Sequence, residues 1–270
     1  LVNGNLVLEM KNEPGIIPDV VMTGELTDCD RSDMSDRSDK SDRSARSDRS
    51  VWGDRSDRSL VYAAIDLGTT TIAMQAVCEG AILATYSALN PQRSFGADVI
   101  SRVSAALQGQ LQEEQRLICE CLRQGITVLS QNAGSKIDYA IIAGNTTMIH
   151  LLRGSDVHML AEYPFQPVDI NSYKIWIAGI PAYTIPGISA FVGGDIVAGI
   201  LQIGLHKKND LQMLVDLGTN GEIVLGNAEK VLVTATSAGP AFEGTISSQM
   251  MGSDLIRIAA KLLDQEIIDE

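Results

Sequence analysis

One tetrapeptide, Asp-Leu-Gly-Thr, occurs twice in this chain, opening two similar hexapeptides. Asp66-Leu67-Gly68-Thr69-Thr70-Thr71 returns 150 positions later as Asp216-Leu217-Gly218-Thr219-Asn220-Gly221. Each copy follows an apolar run (VYAAI, LQMLV) and precedes another (IAMQAV, EIVLG). Both therefore read as strand, Gly-rich turn, strand. Gly removes the side chain that would block close approach, and the turn lets backbone N–H groups and Thr hydroxyls converge on an anion. A carboxylate at the end of the strand, beside such a cradle, is a natural ligand for hydrated Mg²⁺. One copy alone is explained equally well by a tight hairpin. Two copies in the same local context point to a pair of turns that clamp the β- and γ-phosphates of a nucleotide from opposite sides. In that reading Asp66 and Asp216 hold Mg²⁺ through water, and Gly68, Thr69, Thr70, Thr71, Gly218, Thr219, Asn220 and Gly221 line the phosphates.

Three further segments extend the candidate site. Ala238–Gly244 follows a strand, and Gly239, Pro240 and Glu243 suit a loop over a nucleotide, although Gly-Pro is also an ordinary turn. Gly193-Gly194-Asp195 opens a helix, where Asp195 either orients water or Mg²⁺ as the catalytic carboxylate or merely complements the helix dipole. Asn145-Thr146-Thr147 lies where a strand gives way to a helix, and it either presents N–H groups to an anion or caps that helix. No G-x-x-x-x-G-K-[ST] loop is present and no G-x-G-x-x-G follows a strand, so P-loop and Rossmann chemistry have no support.

Around these motifs the pattern from Leu60 onward is globular. Strands are expected at 61–66, 72–77, 138–143, 212–216, 222–225 and 230–235, and helices at 97–107, 113–130, 146–152, 195–205 and 254–263. Alternation of the two gives an α/β class. The uncharged stretch between Lys174 and Asp195 is about the ~20 residues that span a bilayer, but Pro181, Pro186, Gly187, Gly193 and Gly194 break it into short strands and turns. Residues 28–59 are a Ser-Asp-Arg repeat with almost no apolar side chains, expected to be a disordered linker. Residues 1–27 alternate weakly and are too short to bury a core, so they read as the tail of an upstream region.

Charge and cysteine content narrow the function. Against 21 Lys and Arg stand 34 Asp and Glu, a net charge of −13 that disfavours nucleic acid and anionic membranes as partners. The 4 cysteines form no C-x-x-C pair, so no iron–sulfur cluster or zinc framework is expected in this chain. Sparse cysteine and a start without a basic leader point to the cytoplasm.

The paired D-L-G-T turns resemble the two phosphate motifs of the acetate and sugar kinase, heat-shock chaperone and actin superfamily. More narrowly, AIDLGTTTIAMQAV, ALNPQRSFGADVISRVSAAL, IAGNTTMIHLL, PGISAFVGGDIVAGI, LVDLGTNGEIVLGN and ATSAGPAFEG resemble the ATPase domain of the reductive activators of corrinoid proteins. The resemblance covers roughly residues 60–270. It implies a two-lobed actin-like ATPase fold with mixed sheets and flanking helices, ATP and Mg²⁺ as ligands, a corrinoid protein as partner and a ferredoxin-like electron donor. The implied activity drives cobalt reduction in a corrinoid methyl-transfer protein. Family members carry an N-terminal cluster-binding domain, a longer stretch after the G-P-A-F-E-G loop and a further Gly-rich adenosine segment. This chain lacks those features, so a C-terminally incomplete domain is expected. A small-molecule kinase of the same superfamily and a nucleotide-binding docking domain without turnover are the rival readings.

Overall fold

The computed structural model describes residues 59–218, 220–237, 244–247, 250–251 and 261–262. The expected linker up to residue 58, the segment before it and most of the expected helix over 254–263 lie outside the described residues.

Three strands open the fold as an antiparallel meander: β1 (Tyr62–Leu67), β2 (Thr71–Cys78) and β3 (Ala81–Leu89). Strict alternation fixes which face is buried. Ala63, Ile65 and Leu67 on β1, and Ile72, Met74 and Ala76 on β2, point into the core. The chain then leaves through α1 (Val99–Ala105), a π-turn over 106–110 broken at Gly109, and α2 (Leu111–Ala133). On α2, Ile118, Leu122, Ile126 and Leu129 recur at helical spacing and are buried. Gly134, with φ 62°, ends the helix in the left-handed region. The return strand β4 (Tyr139–Gly144) pairs in parallel with β1, Leu67 opposite Gly144.

α3 (Thr146–Arg153) follows β4 after a single residue, Asn145, and a short α4 (His158–Ala161) leads to β5 (Lys174–Ile177) and β6 (Ile180–Thr184). The first sheet runs β3-β2-β1-β4-β6-β5. One apolar core lies against it, from Val61 to Ala190.

A second, separate core starts with α5 (Gly194–Ile203), whose Ile196 and Ile200 pack with Val224 and Val231. Its sheet is the meander β7 (Gln212–Leu217), β8 (Asn220–Gly226) and β9 (Val231–Ser237). A small hairpin, β10 (Gly244–Ser247) with β11 (Met250–Met251), completes the described elements. The expected duplication is therefore structural: β1-β2-β3 and β7-β8-β9 are two meanders of one topology, each on its own core. This is an α/β actin-like architecture of mixed sheets with flanking helices.

Candidate functional site

The first turn is tight by necessity. Gly68 N–H donates to the Thr71 carbonyl (3.1 Å), and a Cβ at position 68 would lie 2.5 Å from that oxygen. Only glycine fits there. Thr69, at the apex, is buried, and Thr71 begins β2 on its exposed side. The second turn closes with Gly218 N–H donating to the Asn220 carbonyl (2.8 Å). The two turns differ by one residue: Leu67 pairs with Ile72, whereas Leu217 pairs with Gly221. A one-residue slip reverses facing, so Gly221 is a buried strand residue of β8 while Thr71 stays open. Thr219, Gly239, Pro240 and Glu243 lie outside the described residues.

Asp66 and Asp216 each stand at the penultimate position of the first strand of their meander. Asp195 enters from a third direction, in the first turn of α5. Gly193 permits that approach, since a Cβ there would sit 2.4 Å from both the Asn145 Cα and the Gly144 carbonyl oxygen. The N-terminus of α5 therefore lies directly on the β4–α3 junction, and Asp195 is within electrostatic reach of Asp66 and Asp216. Asp195 is pushed up to about 6, first by burial and further by the charges of Asp66 and Asp216, against the pull of its own bond from Ile196 N–H (2.8 Å). Asp66 is raised too, by desolvation in the cleft and then by Asp216. Three carboxylates from two cores thus meet in one electrostatic unit. Among the described residues, no three His, Cys, Asp or Glu side chains lie close enough to hold a metal ion directly. By its chemistry, an all-oxygen set of carboxylates suits a hard, hydrated cation such as Mg²⁺ rather than a soft metal.

Asn145 caps α3, its Oδ1 accepting from Met148 N–H (2.9 Å), while its Nδ2 donates to Thr69 Oγ1 (3.0 Å). Thr146 donates its hydroxyl to the Ser189 carbonyl (2.6 Å). This segment therefore braces the first turn through side chains. Residues that the motifs did not single out do the same from behind. Asn90 Nδ2 donates to the Gly68 carbonyl (2.8 Å), Asn90 N–H to the Thr70 carbonyl (2.8 Å), and Arg102 Nη2 to the Thr69 carbonyl (2.6 Å). Arg102 had one sequence signal: it interrupts the apolar stripe of Val99, Val103 and Ala106. Among the described residues no helix is long and apolar enough to cross a membrane.

Comparison with known proteins agrees with this geometry. Residues 62–208 match the RACo middle region, and residues 210–255 match the C-terminal domain of RACo, the ASKHA domain. The corrinoid activation enzyme RamQ of Eubacterium limosum is 34% identical over 196 residues, covering 67% of this chain and 33% of RamQ. The Co(II) methylated amine-specific corrinoid protein reductase of Methanosarcina barkeri is 25% identical over 137 residues, 44% of this chain and 25% of that protein. A solved structure of a reductive activator for corrinoid, iron–sulfur protein superposes with a TM-score of 0.68 at 34% identity, covering 74% of this chain and 34% of the other. The chain thus spans a third or less of the length of the curated relatives it matches. Through its two meanders, and through matches that together run from Tyr62 to Leu255, the chain belongs to the RACo family, the reductive activators of corrinoid proteins, within the ASKHA group of actin-like ATPases.

Proposed function

We propose that this chain binds Mg·ATP between its two Gly-Thr turns and uses the nucleotide to drive reduction of cobalt in a corrinoid protein. The observation that carries the reading is the electrostatic contact of Asp66, Asp195 and Asp216, in which the charge of Asp216 raises Asp66 and the charges of both raise Asp195. Such a cluster of like charge is costly unless a cation is shared among its members. Mg²⁺, when bound, supplies charge neutralisation of the phosphates and of the carboxylates around it. Asp66 and Asp216 hold it through its water shell. Thr69, Thr70, Thr219 and Asn220 contribute N–H and hydroxyl donors to the phosphate oxygens, while Gly68 and Gly218, whose own N–H groups close the turns, leave room for the phosphates to approach, with Thr71 and Gly221 behind them. Gly239, Pro240 and Glu243 belong to the loop that covers the nucleotide. Asp195, near 6, is ionised at neutral pH and placed to accept a proton from an attacking water.

The electron comes from a ferredoxin-like donor, and the setting is the cytoplasm. The corrinoid protein docks across the two lobes, with no part for nucleic acid or membrane. Phosphate release by the full chain, measured with Mg·ATP alone and with a corrinoid protein plus reductant, tests the reading. Release that the corrinoid protein accelerates supports it. Phosphate transfer to a small hydroxylated acceptor would favour the kinase alternative, and absence of nucleotide binding by calorimetry would refute both.

A further inference from the structure

The first turn has an unusual rear face. Three successive carbonyls, of Gly68, Thr69 and Thr70, all point into the protein and all are held by just two residues. Asn90 takes the outer pair, with its side-chain amide and its backbone N–H, and Arg102 takes the middle one. A hairpin turn closes on its own bond, here Gly68 to Thr71, and its central carbonyls are ordinarily left to water. This turn instead has a fully buried guanidinium behind it.

A charge at that depth persists only when paired and hydrogen-bonded. Arg102 also donates through Nε to the Gly96 carbonyl (3.1 Å), and its Nη1 faces Met148 Sδ (3.3 Å). Its neighbouring charge is Glu114, which is equally buried. Glu114 in turn accepts from Gln92 Nε2 through Oε2 (3.3 Å) and its carbonyl (3.2 Å), and Gln92 N–H returns to Asn90 Oδ1 (3.0 Å). These polar groups make an open ring behind the turn: Arg102 and Asn90 touch it, Gln92 holds Asn90, and Glu114 holds Gln92 within electrostatic reach of Arg102.

Peptide geometry gives the ring a consequence. In a trans peptide the carbonyl and the N–H that follows it point to opposite sides, and the peptides of this turn are trans. Pulling the Gly68 and Thr69 carbonyls inward therefore turns the N–H groups of Thr69 and Thr70 the other way, away from Asn90 and Arg102. We propose that Arg102 and Asn90 are positioning residues of the nucleotide site: by holding the carbonyls of residues 68–70 they aim the Thr69 and Thr70 N–H groups at the phosphate chain of a nucleoside triphosphate. The proposal rests on the nucleotide reading above.

The test uses the full chain and two probes, Mg·ATP and Mg·tripolyphosphate, the latter having no adenosine. Arg102→Met, Arg102→Lys and Asn90→Leu are compared with wild type by calorimetry, with thermal melting as the check on folding. Loss of aim at a charged ligand should weaken both probes about ten- to a hundredfold in Arg102→Met and Asn90→Leu. Arg102→Lys keeps the charge but not the fork, so it should recover only part of that loss. In wild type, the Thr69 and Thr70 amide resonances should move on addition of Mg·tripolyphosphate, a readout independent of whether any variant folds. Binding by wild type with those resonances unmoved, or affinities in Arg102→Met within twofold of wild type, overturns the proposal and leaves the nucleotide reading standing. So does full recovery in Arg102→Lys, because charge alone would then suffice. No binding of either probe to wild type overturns the nucleotide reading and this proposal with it.

Discussion

Replacing Asp195 by Asn should make the ligand-free protein more stable at pH 8 while abolishing turnover. The folded protein holds the Asp195 carboxyl at about 6, against an ordinary value of 3.8. A carboxyl raised by folding is protonated more readily in the native state than in the unfolded one. Folding is therefore penalised in full above pH 6, and the penalty fades as pH falls through 6 toward 3.8. At about 1.4 kcal/mol per decade, the difference corresponds to about 3 kcal/mol above pH 6. Asn does not recover all of it, since burial is the larger cause and a buried amide is also desolvated. The Ile196 N–H bond also weakens when its acceptor loses its charge. A net gain of about 1–2 kcal/mol is expected at pH 8 and none near pH 3.5, where the aspartic acid is already neutral. Urea unfolding followed by circular dichroism at the two pH values measures this directly. Equal stability of Asp195→Asn and wild type at pH 8, or a gain of the same size at both pH values, would refute the claim that burial and the neighbouring carboxylates together raise Asp195 in the folded protein.

Other outcomes follow from the same geometry. Asp66→Asn and Asp216→Asn should each weaken Mg·ATP by about 2–3 kcal/mol and leave metal-free ATP nearly unchanged, as charge at a metal site dominates local electrostatics; titration calorimetry with and without Mg²⁺ separates the two. Gly68→Ala places a methyl 2.5 Å from the Thr71 carbonyl oxygen, so the turn must open. Thermal melting should fall by several degrees, for a cost of about 1–3 kcal/mol, and nucleotide binding should fall with it. A corrinoid protein that responds to the nucleotide state must change ATP affinity by the same factor that ATP changes its own binding, typically ~5–150-fold; ATP titrations with and without the corrinoid protein check this, and identical affinities would remove the coupling.

Much of the fold was legible because its signals are local. The alternation of Ala63, Ile65 and Leu67 marks β1, and the spacing of Ile118, Leu122, Ile126 and Leu129 marks α2. The repeated Asp-Leu-Gly-Thr located both turns and two of the three carboxylates. β3 was not legible, because its inward face is weak: Ala84, Tyr86 and Ala88 alternate onto the core only half-buried, while the exposed Ile82, Leu83 and Leu89 blur the contrast between the two faces. The one-residue difference between the turns was hidden for another reason. Identical letters at Asp-Leu-Gly-Thr carry no register, which is set by the pairing of Leu67 with Ile72 and of Leu217 with Gly221. The brace behind the first turn is the clearest case of a feature composed in space. Asn90 and Arg102 lie 22 and 33 residues from their turn partners, and only the misplaced charge on the stripe of α1 hints at it.

The site belongs to neither core alone. The first turn and Asp66 stand on the six-stranded sheet, while Asp216 and the helix of Asp195 stand on the second core, with Ile196 and Ile200 anchoring that helix. Between them, Gly193 rests on the backbone of Gly144 and Asn145, and Asn145 reaches Thr69. A change at the phosphate turn therefore has a short mechanical route into α5, through an asparagine and a glycine contact that tolerate no added atoms. The carboxylates supply the driving force along that route. Without a cation their mutual repulsion opposes the approach of Asp66 to Asp195 and Asp216; with one, the same three charges favour it. A ligand shifts such an equilibrium only by the difference in its affinity for the two arrangements. On the nucleotide reading proposed above, that difference comes from an arrangement in which both turns and all three carboxylates contact nucleotide and metal together.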